Sequence, residues 1–217
     1  MNRPADPGAP VAAIDTPALV IDLDAMERNL ARMAAFAREH RVRLRPHAKM
    51  HKSAELARLQ MAHGAVGVCV QKTAEAEALA AGGVTDIYIS NEVIAPAKLA
   101  RVAALALRLQ HDGGQLAIAV DSEHGIAALA DAMHHAHGAH IDVFIDVDIG
   151  HGRCGVPPGE PALALARAIA PHRALRLVGL HAYHGSAQHQ RDATTRQATH
   201  ARSAQMVRDT RDLLIRH

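Results

Sequence analysis

The 217-residue sequence has no tryptophan, two tyrosines, two phenylalanines and two cysteines. Phe36, Tyr88, Phe144 and Tyr183 are too few and too scattered to form the stacking platforms of a single-strand nucleic-acid reader. Cys69 and Cys154 lie far apart with no CxxC, which argues against a disulfide framework and points to a reducing compartment. A surplus of one charge is also missing: the formal net charge is +2 and no long run of like charge occurs, so the electrostatic footprint of a nucleic-acid partner is absent. The N-terminus, MNRPADPGAPVAAIDTP, carries Pro4, Pro7 and Pro10 and no apolar core. Neither a signal peptide nor a membrane span is expected, and a cytoplasmic location is. No GxGxxG opens a helix and no GxxxxGK[ST] occurs, which removes the usual nucleotide signatures of an open doubly wound sheet.

What is present begins with alternation. From residue 17 the apolar pattern switches between a period near two and a period near 3.6. PALVIDL (17–23) reads as a strand. Asp24 then caps a helix with Met26, Leu30, Met33 and Ala37 on one face. Six strand-helix units follow, with strands starting near 43, 65, 86, 116, 141 and 175, and with Ser53 and Thr73 as helix caps. Strictly alternating strands and helices imply parallel pairing and crossover helices, and the fold expected is a (β/α)8 barrel. About six of the eight units are counted, and residues 190–217 read as the helix of the sixth. An open barrel with bare edges is a poor product, so the chain is expected to be the N-terminal part of a longer protein.

In such barrels the chemistry sits just past the C-terminal ends of the strands. The stretch LRPHAKMHKS holds two of the chain's four lysines, in a sequence where arginine supplies twenty of the twenty-four basic residues. Strand alternation turns Arg45, His47 and Lys49 toward the barrel interior, where burial and neighbouring cations would lower the pKa of the amine and make it a nucleophile toward an aldehyde. A plain anion-binding loop fits the same spacing. Lys52 is expected to face solvent. In LRLVGLHAY the same rule turns Gly179, His181 and Tyr183 inward, and His189 follows six residues on as a free base. The turn DIGHGRCG sets Arg153 among Gly150, Gly152 and Gly155, which allow close backbone approach to a ligand. Gln71, Ser90, Asn91 and Asp121 mark the other strand ends. Seventeen histidines suggest metal, but with no HExxH and no His/Cys ladder nearly all read as solvated, and no metal ligand is assigned within the chain.

In order along the chain, DTPALVIDLDAMERNL, RLRPHAKMHKS, GAVGVCVQKTAEAEAL, DIYISNEVIAPAKLA, IDVDIGHGRCGV and GLHAYHGSAQH resemble the pyridoxal-phosphate-dependent D-threonine aldolases and D-serine dehydratases, of the alanine racemase fold class. The resemblance implies that Lys49 carries the cofactor, pyridoxal 5'-phosphate, as a Schiff base. It further implies that Arg153 faces the pyridine nitrogen, that Tyr183 lines the cofactor site and that His189 takes the proton of the substrate's β-hydroxyl. It implies retro-aldol cleavage of D-threonine and related D-β-hydroxy amino acids, assisted by a manganese-like divalent metal, in a homodimer. Residues 1–23 would include a strand that joins a C-terminal β domain, and 24–217 would be a partial barrel. The glycine-rich phosphate cradle and the metal ligands of that family have no counterpart in these residues, so little cofactor binding is expected of residues 1–217 alone. The alternatives are a D-serine dehydratase or an inactive, non-catalytic cofactor-binding fragment. An alanine racemase is a weaker match.

Overall fold

Five strands lie side by side in sequence order, every pair parallel: β1 (Val68–Val70), β2 (Asp86–Glu92), β3 (Gln115–Val120), β4 (Ile141–Asp146) and β5 (Leu175–His181). The computed structural model describes residues 5–217; the first four residues of the expected 1–23 segment, Pro4 included, lie outside them. The chain divides into two compact units, Met1–Arg43 and Leu44–His217, and the sheet belongs to the second.

Helices α2 (Ala54–Ala62), α3 (Thr73–Ala81), α4 (Pro96–His111), α5 (Glu123–His135), α6 (Glu160–Ile169) and α7 (Ala193–Arg216) alternate with the strands. Period-two alternation sends Ile87, Ile89, Ile118, Ile141, Val143 and Ile145 to one face of the sheet, where they are fully buried with Leu99, Val102, Leu109, Ile126, Leu129 and Met133 of α4 and α5. The helical faces expected on α4 and α5 are therefore the observed ones. The opposite, inner face has only a small apolar cluster, Tyr88, Ala117 and Ala119 with Cys69 and Phe144. There β3 presents two alanines, and across them the rings of Tyr88 and Phe144, from the strands on either side, meet with centroids 4.7 Å apart.

The unit starting at 43 is reduced to a fringe of the sheet. Leu44 and Pro46 carbonyls accept from Val66 N (2.9 Å) and Cys69 N (2.8 Å), and a single bridge joins His47 to Cys69. Pro46 has no N–H to give to a ladder, and the chain turns into a 3-10 turn at Ala48–Met50, so a regular sixth strand does not form. Ser53 caps α2 as expected, accepting from Leu56 N at 3.2 Å. Thr73 does not cap α3: it is the first helical residue, and Glu75 instead accepts from Gln71 N (2.9 Å) and Lys72 N (3.2 Å).

In the first unit, α1 spans Leu23–Glu39 and its cap is Asp22, accepting from Ala25 N at 2.9 Å, where Asp24 was expected. Ala34 and Ala37 are its buried residues, while Met33 is exposed. The expected strand at 17–23 is not formed: residues 18–22 join no strand among the described residues, and Leu19, Val20 and Ile21 are exposed. A strand without a neighbour leaves its backbone donors and acceptors to water, and β propensity alone does not overcome that.

The alanine slot on β3 yields a test. Ala117→Leu forces a branched side chain between Tyr88 and Phe144, and overpacking of this kind costs about 1–3 kcal/mol. Urea unfolding followed by circular dichroism should show the midpoint falling with an unchanged slope.

Candidate functional site at the C-terminal rim of the sheet

Because all five strands run the same way, the residues past their C-terminal ends share one rim, and the loop after β4 is bound to itself by its own hydrogen bonds. Asp148 Oδ1 accepts three backbone N–H groups, from Gly150 (2.9 Å), His151 (2.9 Å) and Gly152 (3.0 Å). These bonds hold the Asp148 carboxyl below its ordinary pKa. Gly150 and Gly152 take φ of 116° and 70°, which lets the chain fold over the carboxylate. The loop closes where Asp148 N donates to Val156 O (2.9 Å) and Val156 N to Asp146 O (3.0 Å). Gly155 N donates to Asp121 Oδ2 at 3.2 Å, tying the loop to the end of β3.

Arg153 rides on this loop with its Cζ 5.5 Å from the centroid of the Tyr183 ring, and His151 meets the same ring edge-on at 5.4 Å. Two of the residues singled out in the sequence are thus brought together. Tyr183 is 43% exposed, so it stands at the rim and not in the interior, two residues beyond the end of β5. Gly185 leaves room for this ring placement, since a Cβ there would lie 2.7 Å from the tyrosine hydroxyl.

Lys49 departs from its expected setting. The 3-10 turn takes it out of strand alternation, and it is exposed, not enclosed in a narrow mouth. Its backbone N donates to His47 Nδ1 at 3.3 Å, and its charge is felt at that ring. With Nδ1 accepting, the His47 proton sits on Nε2, 3.2 Å from Ser90 Oγ, and Ser90 donates on to Val70 O at 3.2 Å. Burial, then the Lys49 charge, lowers the His47 pKa, in agreement with a neutral ring. His189 ends the short turn Gly185–His189 and is exposed, with no hydrogen bond to Lys49, Arg153 or Tyr183 among the described residues. Lys52 is 61% exposed at its side chain, with Nζ 3.6 Å from Glu75 Oε1.

Sequence reading named Asp121 on the acidic side of this rim but passed over Glu92 and Asp146. Glu92 and Asp146 stand at the C-terminal ends of β2 and β4. Burial, the largest cause, raises the pKa of both. Asp146 Oδ1 is 3.9 Å from His181 Nε2, and burial lowers the pKa of His181. The signal that could have found these residues is their place: an acidic side chain at or just past the C-terminal end of each of β2, β3 and β4.

Ligand-type atoms of Glu92, Asp121 and Cys154 lie within 4.8 Å of one another. The donor set does not fit a resident metal ion, which takes thiolate and carboxylate. Burial raises the pKa of the Cys154 thiol and of the Glu92 carboxyl, and the Arg153 charge is felt at Cys154, so a second cation would sit beside a guanidinium.

Residues 21–217 match the family model described as "Alanine racemase, N-terminal domain". The chain belongs to the alanine racemase N-terminal domain family. Within it, the chain is 45% identical over 211 residues to a D-threonine aldolase of Arthrobacter sp., covering 97% of this chain and 54% of the relative. It is 41% identical over 212 residues to a 3-hydroxy-D-aspartate aldolase of Paracoccus denitrificans (strain Pd 1222), with the same coverage of each. The crystal structure of D-threonine aldolase from Filomicrobium marinum superposes with a TM-score of 0.93 at 48% identity, over 99% of this chain and 56% of that one. The chain spans about half the length of these alanine racemase-family relatives, and its five-stranded parallel sheet is a partial barrel of their type. No helix among the described residues is long and apolar enough to cross a membrane.

The two lowered histidines fix a sign for pH dependence. The unfolded imidazole titrates near 6.5 and the folded ones lower, so between those values the unfolded chain binds more protons. Their contribution is complete above pH 6.5 and is lost as pH falls toward the folded values. His181→Gln should flatten the fall in unfolding free energy below pH 6.5, read from urea titrations at a series of pH values.

Proposed function

We propose that the protein is a pyridoxal 5'-phosphate-dependent lyase that cleaves D-threonine and related D-β-hydroxy amino acids to glycine and an aldehyde. The observation that carries this reading is a primary amine, Lys49, on the same parallel-sheet rim as the Arg153–Tyr183 pair. That rim belongs to a chain whose likeness to aldolases runs over nearly its whole length.

The residues fit the cofactor. Lys49 is exposed and unengaged by any carboxylate among the described residues, so its amine is open to an aldehyde; arginine, which does not deprotonate, could not take its place. The Tyr88 hydroxyl is buried on the inner face with no hydrogen-bond partner, a donor left for a ligand or further chain. When bound, pyridoxal phosphate supplies the carbonyl that takes up the substrate amine and an acceptor for the electrons released when the Cα–Cβ bond breaks.

The chain's own residues do the rest. Lys49 holds and releases the ligand's carbon. Arg153, carried on the Asp148-locked loop and packed against Tyr183, offers a cationic fork of donors to a ring nitrogen and, by keeping it unprotonated, restrains side reactions at Cα. His189, free at the end of its turn, accepts the proton of the β-hydroxyl; as Cα–Cβ breaks the oxygen becomes the carbonyl of acetaldehyde, and a proton returned to Cα completes glycine. A divalent ion would polarise that hydroxyl, with ligands outside the Glu92–Asp121–Cys154 trio. The exposed apolar row Leu19, Val20 and Ile21 supports the reading of 17–23 as a strand for a further β domain, and the two unpaired thiols support a reducing cytoplasm.

The test uses protein expressed from the complete coding sequence. Incubation with pyridoxal phosphate followed by borohydride should leave a stable label on Lys49 alone, absent in Lys49→Arg. D-threonine should yield acetaldehyde and glycine, and His189→Gln should lower kcat by about 10²–10⁴ while leaving the Lys49 label intact. Release of ammonia from D-serine without aldehyde formation would replace this reading with a dehydratase.

A further inference from the structure

Two side chains join the stretch that carries Lys49 to the second strand along. Arg45 Nη1 lies 2.6 Å from Asp86 Oδ1 at the start of β2, and His47 Nε2 lies 3.2 Å from Ser90 Oγ nearer its end. Gly67, just before β1, leaves the passage for the first of these, since a Cβ there would meet Arg45 Nη1 at 2.5 Å. No strand pairing of this stretch continues past the His47–Cys69 bridge among the described residues. The chain then closes on itself, with His51 N (3.2 Å) and Lys52 N (2.7 Å) both donating to Ala48 O.

We propose that His47 is a positioning residue for Lys49: in its Nε2–H tautomer the ring takes the Lys49 backbone N–H at Nδ1 and gives its own N–H to Ser90 on β2, and so fixes the turn from which the Lys49 amine rises. The proposal rests on the reading of Lys49 as the amine that meets the aldehyde, since the ring acts on the placement of that residue.

The direction of every bond is settled by the atoms at the two ends. A backbone N–H can only donate, so Nδ1 accepts from Lys49 N at 3.3 Å and the ring proton belongs to Nε2. Ser90 has one hydroxyl proton and gives it to the Val70 carbonyl at 3.2 Å, so toward His47 it can only accept. Both ends require the same tautomer. Three bonds therefore run one way, from Lys49 N through the ring and the hydroxyl to the end of β1. Burial of the Ala48 methyl seats the turn in the core, but apolar burial has no direction, and the ring supplies it. A second proton on the ring would make Nδ1 a donor facing the Lys49 N–H, and the link to the turn would break. Burial and then the Lys49 charge oppose that proton, the Gln71 side chain and the Glu75 carboxylate favour it, and His181 opposes it.

The test uses protein expressed from the complete coding sequence, freed of cofactor, with nitrogen-15 in its histidines and lysines. At pH 7 the His47 ring should show a protonated Nε2 and a bare Nδ1, and on acidification the Lys49 amide signal should titrate together with that ring. The opposite tautomer, or a Lys49 amide that ignores the ring's titration, overturns the proposal. His47→Asn keeps an acceptor for the Lys49 N–H but is too short for Ser90, and Ser90→Ala removes the ring's other partner. Each should slow the capture of pyridoxal phosphate by Lys49, trapped with borohydride, by about tenfold. Because both cut the same link, the double variant should be no slower than either single one, and losses that multiply overturn the proposal. A Lys49 that takes no label at all sinks the aldolase reading and leaves the ring and amide spectra, recorded without cofactor, to decide the role of His47. Those wild-type spectra decide it even if the variants do not fold.

Discussion

The smallness of β3's inner face is the constraint on which the rest of the site depends. Ile118 anchors that strand in the core on the helix side, while Ala117 and Ala119 on the other side leave a shallow trough. The rings of Tyr88 on β2 and Phe144 on β4 fill the trough from both directions. Bulk at either alanine would separate groups that lie two strands apart, and no single strand could bring them together. Apolar burial on the helix face stabilises the sheet, and the near-absence of it on the inner face leaves room for polar work.

The electrostatics of the rim follow from partial burial. Desolvation disfavours every charge, and its result depends on the group: His47 and His181 are lowered toward the neutral ring, the Cys154 thiol is raised and stays protonated, and the Glu92 and Asp146 carboxyls are raised. Arg153 cannot follow suit, because a guanidinium does not give up its proton in this range. It is left as the fixed positive charge among groups that have discharged themselves, which is a setting suited to directing an anion or a lone pair.

Much of this was legible in the sequence where the chain makes its own decisions. Alternating periods located β1 to β5 and the buried faces of α4 and α5, and the glycines of DIGHGRCG marked a tight loop beside Arg153. Errors arose where a neighbour decides. PALVIDL has the composition of a strand and no strand beside it in its unit; RLRPHAK has the alternation, but Pro46 interrupts its ladder and the following turn carries Lys49 out into solvent. Caps slipped by a residue or two at Asp22 and Lys72 because several side chains near a helix start can accept the same N–H groups. Glu92 and Asp146 were overlooked, since they are 54 residues apart in sequence and stand on strands separated by a third.

The loop after β4 has the glycine content of a phosphate-binding turn, and its successive amides converge on one point as an anion nest does. That point is already occupied by the chain's own Asp148 carboxylate. A nest filled from within rejects an external dianion by charge and has no free donors to offer it. The loop therefore serves as a rigid bracket for a guanidinium, and any phosphate monoester approaching this rim must find its amides on a different turn.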